Sequence, residues 1–215
     1  MCFSAEASFI GAAALGVIGT AALNVPLRKQ DKLWAAIPLL FAFQQLCEGI
    51  IWLDLRGSIP HSAFSVLAKD LYLFFALIFW PVWIPLSILA GEDKPLRKTF
   101  LKVLLFCGIT LATFHLWSYS ILEISPTVNK YSIYYFSEAP FYKKLVYLIL
   151  VSLPPLISSI KYMKVFGILI ILSCLISEYF YTTTFTSVWC FLGSFVSAAL
   201  YMICRSNAKM SVKVG

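Results

Sequence analysis

The sequence predicts an all-α fold: a polytopic membrane helix bundle of seven transmembrane helices, with the N-terminus outside and the C-terminus cytoplasmic. Three observations carry this. The 215 residues are 60% hydrophobic and only 13% charged, whereas a soluble domain holds roughly 45–50% apolar and about 25% charged residues. The apolar residues fall in stretches of about 20, the length that crosses a ~30 Å hydrocarbon core at 1.5 Å per residue. Lys and Arg sit in the short connections and mainly in every second one, as topogenic charge does. Residues 1–205 read as a single seven-helix transmembrane domain and 206–215 as a basic cytoplasmic tail.

The first span runs from about Ala5 to Leu23. Its Ala12, Gly16 and Thr20 are spaced small-xxx-small, with Gly11 and Gly19 beside them, so a close helix–helix contact is expected along that line. The second, Leu33 to Leu53 (LWAAIPLLFAFQQLCEGIIWL), carries Gln44, Gln45 and Glu48 where a lipid-facing helix would carry leucine. The third, Asp70 to Ala90, contains FWPVWIP, and the donors missing at Pro81 and Pro85 predict a kink there. The fourth, Thr99 to Leu122, holds His115 and Trp117. The tyrosine-rich connection from Glu123 to Pro140 is expected on the membrane surface as an amphipathic segment. The fifth span, Phe141 to Ile160, is broken by Pro154-Pro155; the sixth is Val165 to Tyr181 and the seventh Ser187 to Cys204. Trp52, Trp117 and Trp189 read as interface-belt anchors.

Orientation follows from the cations. One side collects 12 Lys and Arg, in the connections after spans one, three and five and in the tail; the other holds Arg56, Lys69, Lys130, Lys143 and Lys144. The richer side belongs in the cytoplasm. The net charge of +7 is thus used for topology rather than for a phosphate-binding face, which argues against nucleic acid as a partner. The partner that composition requires is the lipid bilayer. Six scattered cysteines without a CxxC pair read as small apolar side chains rather than a disulfide framework. The start, MCFSAEASF, lacks the basic segment of a cleavable signal.

In this topology the costly polar groups share one depth, the outer leaflet. The candidate pocket residues are Glu6, Gln44, Gln45, Glu48, His115, Glu178 and Cys190, with Cys2, Ser4 and Asp70 as weaker candidates. Gln44 and Gln45 lie four and three residues before Glu48, so all three can share a helix face above Ile37 and Phe41. A carboxylate inside a span costs a few kcal/mol, about 3, unless it faces protein or water. Glu6 is the candidate neighbour of Glu48, and two close carboxylates would share a proton or bind a cation. The blander readings are specific too: termini such as Glu6, Asp70 and Glu178 can snorkel into water, Glu48 can serve an interhelical hydrogen bond, and His115, Cys47 and Cys190 can be core residues.

MCFSAEASF, QQLCEGIIWL, FFALIFWPVWIPLS and TSVWCFLGSFVSA together resemble one uncharacterised family of bacterial multi-pass membrane proteins whose members begin Met-Cys-Phe-Ser-Ala. The resemblance covers most of the chain. It implies a bacterial integral membrane protein and supplies no activity; its motif falls on Cys2, Ser4, Glu6, Gln45, Glu48, Trp80, Pro81, Trp189 and Cys190.

Three functions compete. A polar outer-leaflet pocket could bind or pass a small solute, proton or metal cation. A membrane-embedded hydrolase is the alternative, but a three-histidine zinc site cannot be built from His61 and His115 alone; a mixed set of His115, Cys190, Glu6 and Glu48 lacks a spacing motif, and Cys2 as an N-terminal nucleophile lacks an oxyanion hole. A structural or sensory membrane protein is the third. No cofactor is named by any motif, and the residues do not name an oligomeric state.

Overall fold

The computed structural model describes residues 4–121, 124–129, 131–135 and 141–214. Among them the chain forms α1 (Ala5–Asn24), a 3-10 turn (Lys29–Asp31), α2 (Lys32–Ala35), α3 (Ile37–Leu55), α4 (Ala63–Leu73), a π-helical segment (Phe74–Phe79), α5 (Trp80–Gly91) and α6 (Pro95–Ile121). It continues through strands β1 (Thr127–Asn129) and β2 (Ser132–Tyr134), then α7 (Phe141–Ile157), α8 (Met163–Phe180), a 3-10 turn (Thr182–Thr184), α9 (Phe185–Ser197) and α10 (Ala199–Val214). Six helical stretches among these residues are long and apolar enough to cross a membrane: Ala5–Asn24, Lys29–Leu55, Ala63–Gly91, Pro95–Ser118, Met163–Phe180 and Thr182–Ala208. The protein is a multi-pass integral membrane protein built as a helical bundle. α7, at 17 residues, is about 25 Å long and falls short of a full hydrocarbon core.

Local signals account for the ends. Ser4 caps α1, its Oγ accepting from the Ala7 amide at 3.2 Å. α3 stops at Gly57, whose φ of +68° lets the Gly57 and Ser58 amides bond the Asp54 and Leu53 carbonyls, a Schellman closure. Ser62 and Ser65 cap each other at the start of α4.

The expected kink at Pro81 takes the form of a change of helical register. The Trp80 amide reaches back five residues to the Phe75 carbonyl, and Pro81 has no N–H to give the Ala76 carbonyl in that register. Tyr147 on α7 fills the gap, its hydroxyl donating to the Ala76 carbonyl at 2.6 Å. Pro85 likewise leaves the Pro81 carbonyl without a donor four residues on, and Gly108 of α6 packs against that oxygen so closely that a Cβ there would collide with it.

α1 packs on α3 through Ser8, Gly11, Ala12, Leu15, Gly19 and Ala22, which are buried. This line is rotated from the expected Ala12–Gly16–Thr20 stripe: Thr20 is exposed and Gly16 has open space where a Cβ would be, while a Gly19 Cβ would sit 2.5 Å from the Leu39 nitrogen. Lipid is as apolar as a neighbouring helix, so small-residue spacing alone did not single out the inward face.

Two further expectations are corrected. The described part of the connection after α6 is an antiparallel β-hairpin, pairing Val128 with Ile133, not a surface amphipathic segment; Ile133 is buried and Ser132 donates to Thr184 at 2.7 Å. Trp52 is no interface anchor. It is 2% exposed, in a core with Cys47, Ile51, Tyr72 and Tyr135. Trp189 is half-buried and donates to Ser173 at 3.2 Å, whereas Trp117 is exposed.

The other end of the bundle is tied by charge. Arg28 donates to both Asp31 oxygens, to Asp93 at 2.7 Å and to the Gly91 carbonyl at 2.9 Å. The Asp31 carboxylate raises the pKa of the Arg28 guanidinium, with Asp93 adding to it against partial desolvation. Next to it, Glu92 accepts from the Ser159 hydroxyl and amide and from the Asp93 and Lys94 amides. Burial pushes the Glu92 carboxyl up, but those donors outweigh it and hold it below the ordinary 4.5.

Candidate functional site

α3 presents Phe41, Gln44, Gln45 and Glu48 to the interior, and the three polar side chains are fully enclosed. Gln44 and Glu48 have partners from other parts of the chain, and Gln45 has Glu48 itself. The Trp80 indole, turned inward after the π segment, donates to Gln44 Oε1 at 2.8 Å and stacks on Phe41 at 4.0 Å. Gln45 Nε2 donates to Glu48 Oε2 at 3.3 Å. Ser187, in the first turn of α9, donates to Glu48 Oε1 at 2.6 Å. Tyr72 and Cys190 stand beside the same carboxyl group, and Tyr72 is stacked on Tyr135 at 4.9 Å, so the hairpin buttresses the cluster.

The balance of donors and acceptors is uneven. No Lys, Arg or His forms an ion pair with Glu48 among the described residues. Gln45 turns its amide N–H toward Glu48, and among the described residues its buried Oε1 has no hydrogen-bond partner, nor has the Ser8 hydroxyl on α1. Gln45 Oε1 lies 4.0 Å from where a Gly11 Cβ would be, so the missing side chain at Gly11 leaves room beside that oxygen. Buried acceptors without donors are rare in folded proteins and call for a proton, a water or a ligand.

A cavity of about 100 Å³ lies beside the cluster, walled by His115 of α6, Tyr135, Lys143, Lys144 and Tyr147 of α7, the 182–186 turn, Trp189 and Cys190. A second of about 50 Å³ shares Tyr147, Trp189 and Cys190 with it and is otherwise almost wholly apolar.

The ten candidates therefore separate. Gln44, Gln45 and Glu48 form one buried cluster with Cys190 at its edge. His115 and Cys190 line the larger cavity. Glu178 pairs with Lys144 at 2.7 Å, a cation of the cavity wall. Glu6 does not meet Glu48: it is exposed and pairs with Arg56 at 3.4 Å, because the α1 start overhangs the α3 terminus rather than its inner face. Asp70 is half-exposed beside Lys69 at 3.4 Å, Ser4 is a helix cap, and Cys2 lies outside the described residues. Sequence reasoning missed Tyr72, Ser8, Lys143 and Tyr147. The polar atom at Tyr147 in an otherwise apolar stretch was the one available signal. Among the described residues, no group of three or more His, Cys, Asp and Glu side chains is arranged to hold a metal ion, so the mixed His115, Cys190, Glu6 and Glu48 site is not assembled.

A family described as "Family of unknown function (DUF6629)" matches residues 1–214. No curated protein and no solved structure matches the chain.

Proposed function

We propose that this chain, which belongs to that family of unknown function, binds or passes a proton or a small cationic solute at Glu48. In this reading it is a seven-span protein of a bacterial inner membrane, N-terminus outside and C-terminus cytoplasmic, with α7 as the fifth crossing, shortened to 17 residues. The 12-to-5 division of Lys and Arg supports that orientation, and it puts Glu48 on the outer side.

One observation carries the functional reading. Glu48 is fully buried with Gln45 and Ser187 among its hydrogen-bond donors, and among the described residues it has no ion-pair partner and the neighbouring Gln45 Oε1 is an unpartnered acceptor. A carboxyl group so placed either carries a proton or holds a cation, because a bare charge there is costly. An exchangeable group beside a cavity suits binding or permeation better than scaffolding.

The test uses purified protein in proteoliposomes loaded with a pH-reporting dye, exposed in turn to gradients of protons, sodium, potassium and methylammonium. Flux in the wild type that falls at least tenfold in Glu48→Gln, with Glu48→Asp retaining part of it, is the expected result. Equal flux in wild type and Glu48→Gln, or none with any of the four, overturns the reading.

A further inference from the structure

The two cavities ask for a ligand that Glu48 does not. Lys144 is accounted for: it pairs with Glu178 at 2.7 Å and its ammonium lies 4.7 Å from the Phe185 ring centroid. Lys143 also lines the larger cavity, yet no carboxylate pairs with it among the described residues; its ammonium sits over the Phe114 ring, 5.4 Å from the centroid. An ammonium in a largely apolar wall is under-compensated, and an aromatic face replaces only part of what an anion supplies. Thr183 and Thr186 line the same cavity with hydroxyls that bond nothing among the described residues, so donors stand ready for oxygen acceptors.

Beyond Tyr147, Trp189 and Cys190 the chemistry changes. The smaller cavity is walled by Trp80, Ile84, Val151, Phe166 and Ile170, with no charged side chain. A cationic, hydroxyl-lined mouth and an apolar recess share those three residues as a common wall. Matching both ends requires an anionic head on a hydrocarbon chain. At about 50 Å³ the recess takes part of one chain, not two.

We propose that this pair of cavities binds a single-chain anionic amphiphile, its carboxylate or phosphate head at Lys143 and the Thr183–Thr186 hydroxyls and its chain directed past Trp189 toward Ile170. The site is distinct from the Glu48 carboxyl group, and it meets the polar cluster at Cys190 and at the stacked Phe41 and Trp80, the latter being the donor to Gln44.

The experiment uses the full chain in neutral maltoside micelles, with cis-parinaric acid as probe and tryptophan fluorescence, to which Trp80 and Trp189 contribute, as the energy donor. Saturable transfer is expected, displaced by palmitate, at least tenfold less well by hexadecanol, and not by acetate. Dodecyl phosphate tells the two head chemistries apart: stronger displacement than by palmitate assigns a phosphate head, weaker a carboxylate. Lys143→Gln should weaken parinarate about tenfold and Lys143→Arg should restore it. Ile170→Trp, which fills the recess, should abolish saturable transfer even if Lys143→Gln does not fold. Glu48→Gln should leave parinarate binding unchanged, which keeps the failure of either reading distinguishable from the other. Equal displacement by hexadecanol and palmitate, displacement only by two-chain phosphatidylglycerol, or wild-type binding by Ile170→Trp overturns the proposal.

Discussion

The Ser187 hydroxyl donates to Glu48 Oε1 at 2.6 Å across 139 residues of chain, both side chains fully enclosed. The bond joins α3 to α9 at the depth where the buried polar cluster sits. Ser187→Ala removes the donor and leaves the acceptor buried, at a cost of about 1–3 kcal/mol. A lowered melting temperature in detergent is expected, and a double-mutant cycle with Glu48→Gln should return a coupling energy clearly above zero; additive effects would mean the two side chains do not interact.

Glycine positions on α1 give a paired prediction. Gly19→Ala places a methyl 2.5 Å from the Leu39 backbone, and overpacking of this kind costs about 1–3 kcal/mol. Gly16→Ala meets nothing within 4 Å and should be neutral or stabilising by up to ~1 kcal/mol through helix propensity. Thermal unfolding of both variants in the same detergent checks the order.

Tyr147→Phe deletes the hydroxyl that serves the Ala76 carbonyl beside the π segment. An unsatisfied carbonyl in this setting costs about 1–3 kcal/mol. Hydrogen exchange of the amides in 74–80 should rise with little change in α1 and α3.

Glu92 makes stability pH-dependent at the opposite end. Its carboxyl is held below 4.5 in the folded chain, where the Ser159, Asp93 and Lys94 donors outweigh burial. The stabilisation is therefore fully present above about pH 4.5, the unfolded value, and is lost as pH falls through the depressed folded value. Glu92→Gln should be less stable than wild type at pH 7 and should lose less stability below pH 4.5, read by melting temperature across pH 3–7 as an expected window.

Arg28→Lys keeps the charge but not the fork that reaches Asp31, Asp93 and the Gly91 carbonyl together. With Arg28 partly exposed, about 1–2 kcal/mol is expected. Faster exchange in the connections around 28–31 and 91–94 should accompany it.

The sequence by itself determined that this is a membrane protein, roughly where its helices lie, and that Gln45 and Glu48 share one face of α3. Hydropathy and the 3.6-residue period are local properties, and a carboxylate inside an apolar stretch is visible without any neighbour. Partners were not legible. That Glu48 meets Ser187 and not Glu6, that Gln44 meets Trp80, and that Trp52 is core rather than belt depend on how each helix is turned about its axis. In lipid that rotation leaves only a weak trace in the apolar pattern, since lipid tails and helix interiors are alike in polarity. Packing decided it: Gly19 against Leu39, Gly108 against the freed Pro81 carbonyl, and the π register before Trp80, which turns the indole inward. The β-hairpin was equally hidden, because three-residue strands carry no period long enough to read, and it is held by the docking of Ile133 and Tyr135 and by the Ser132–Thr184 bond.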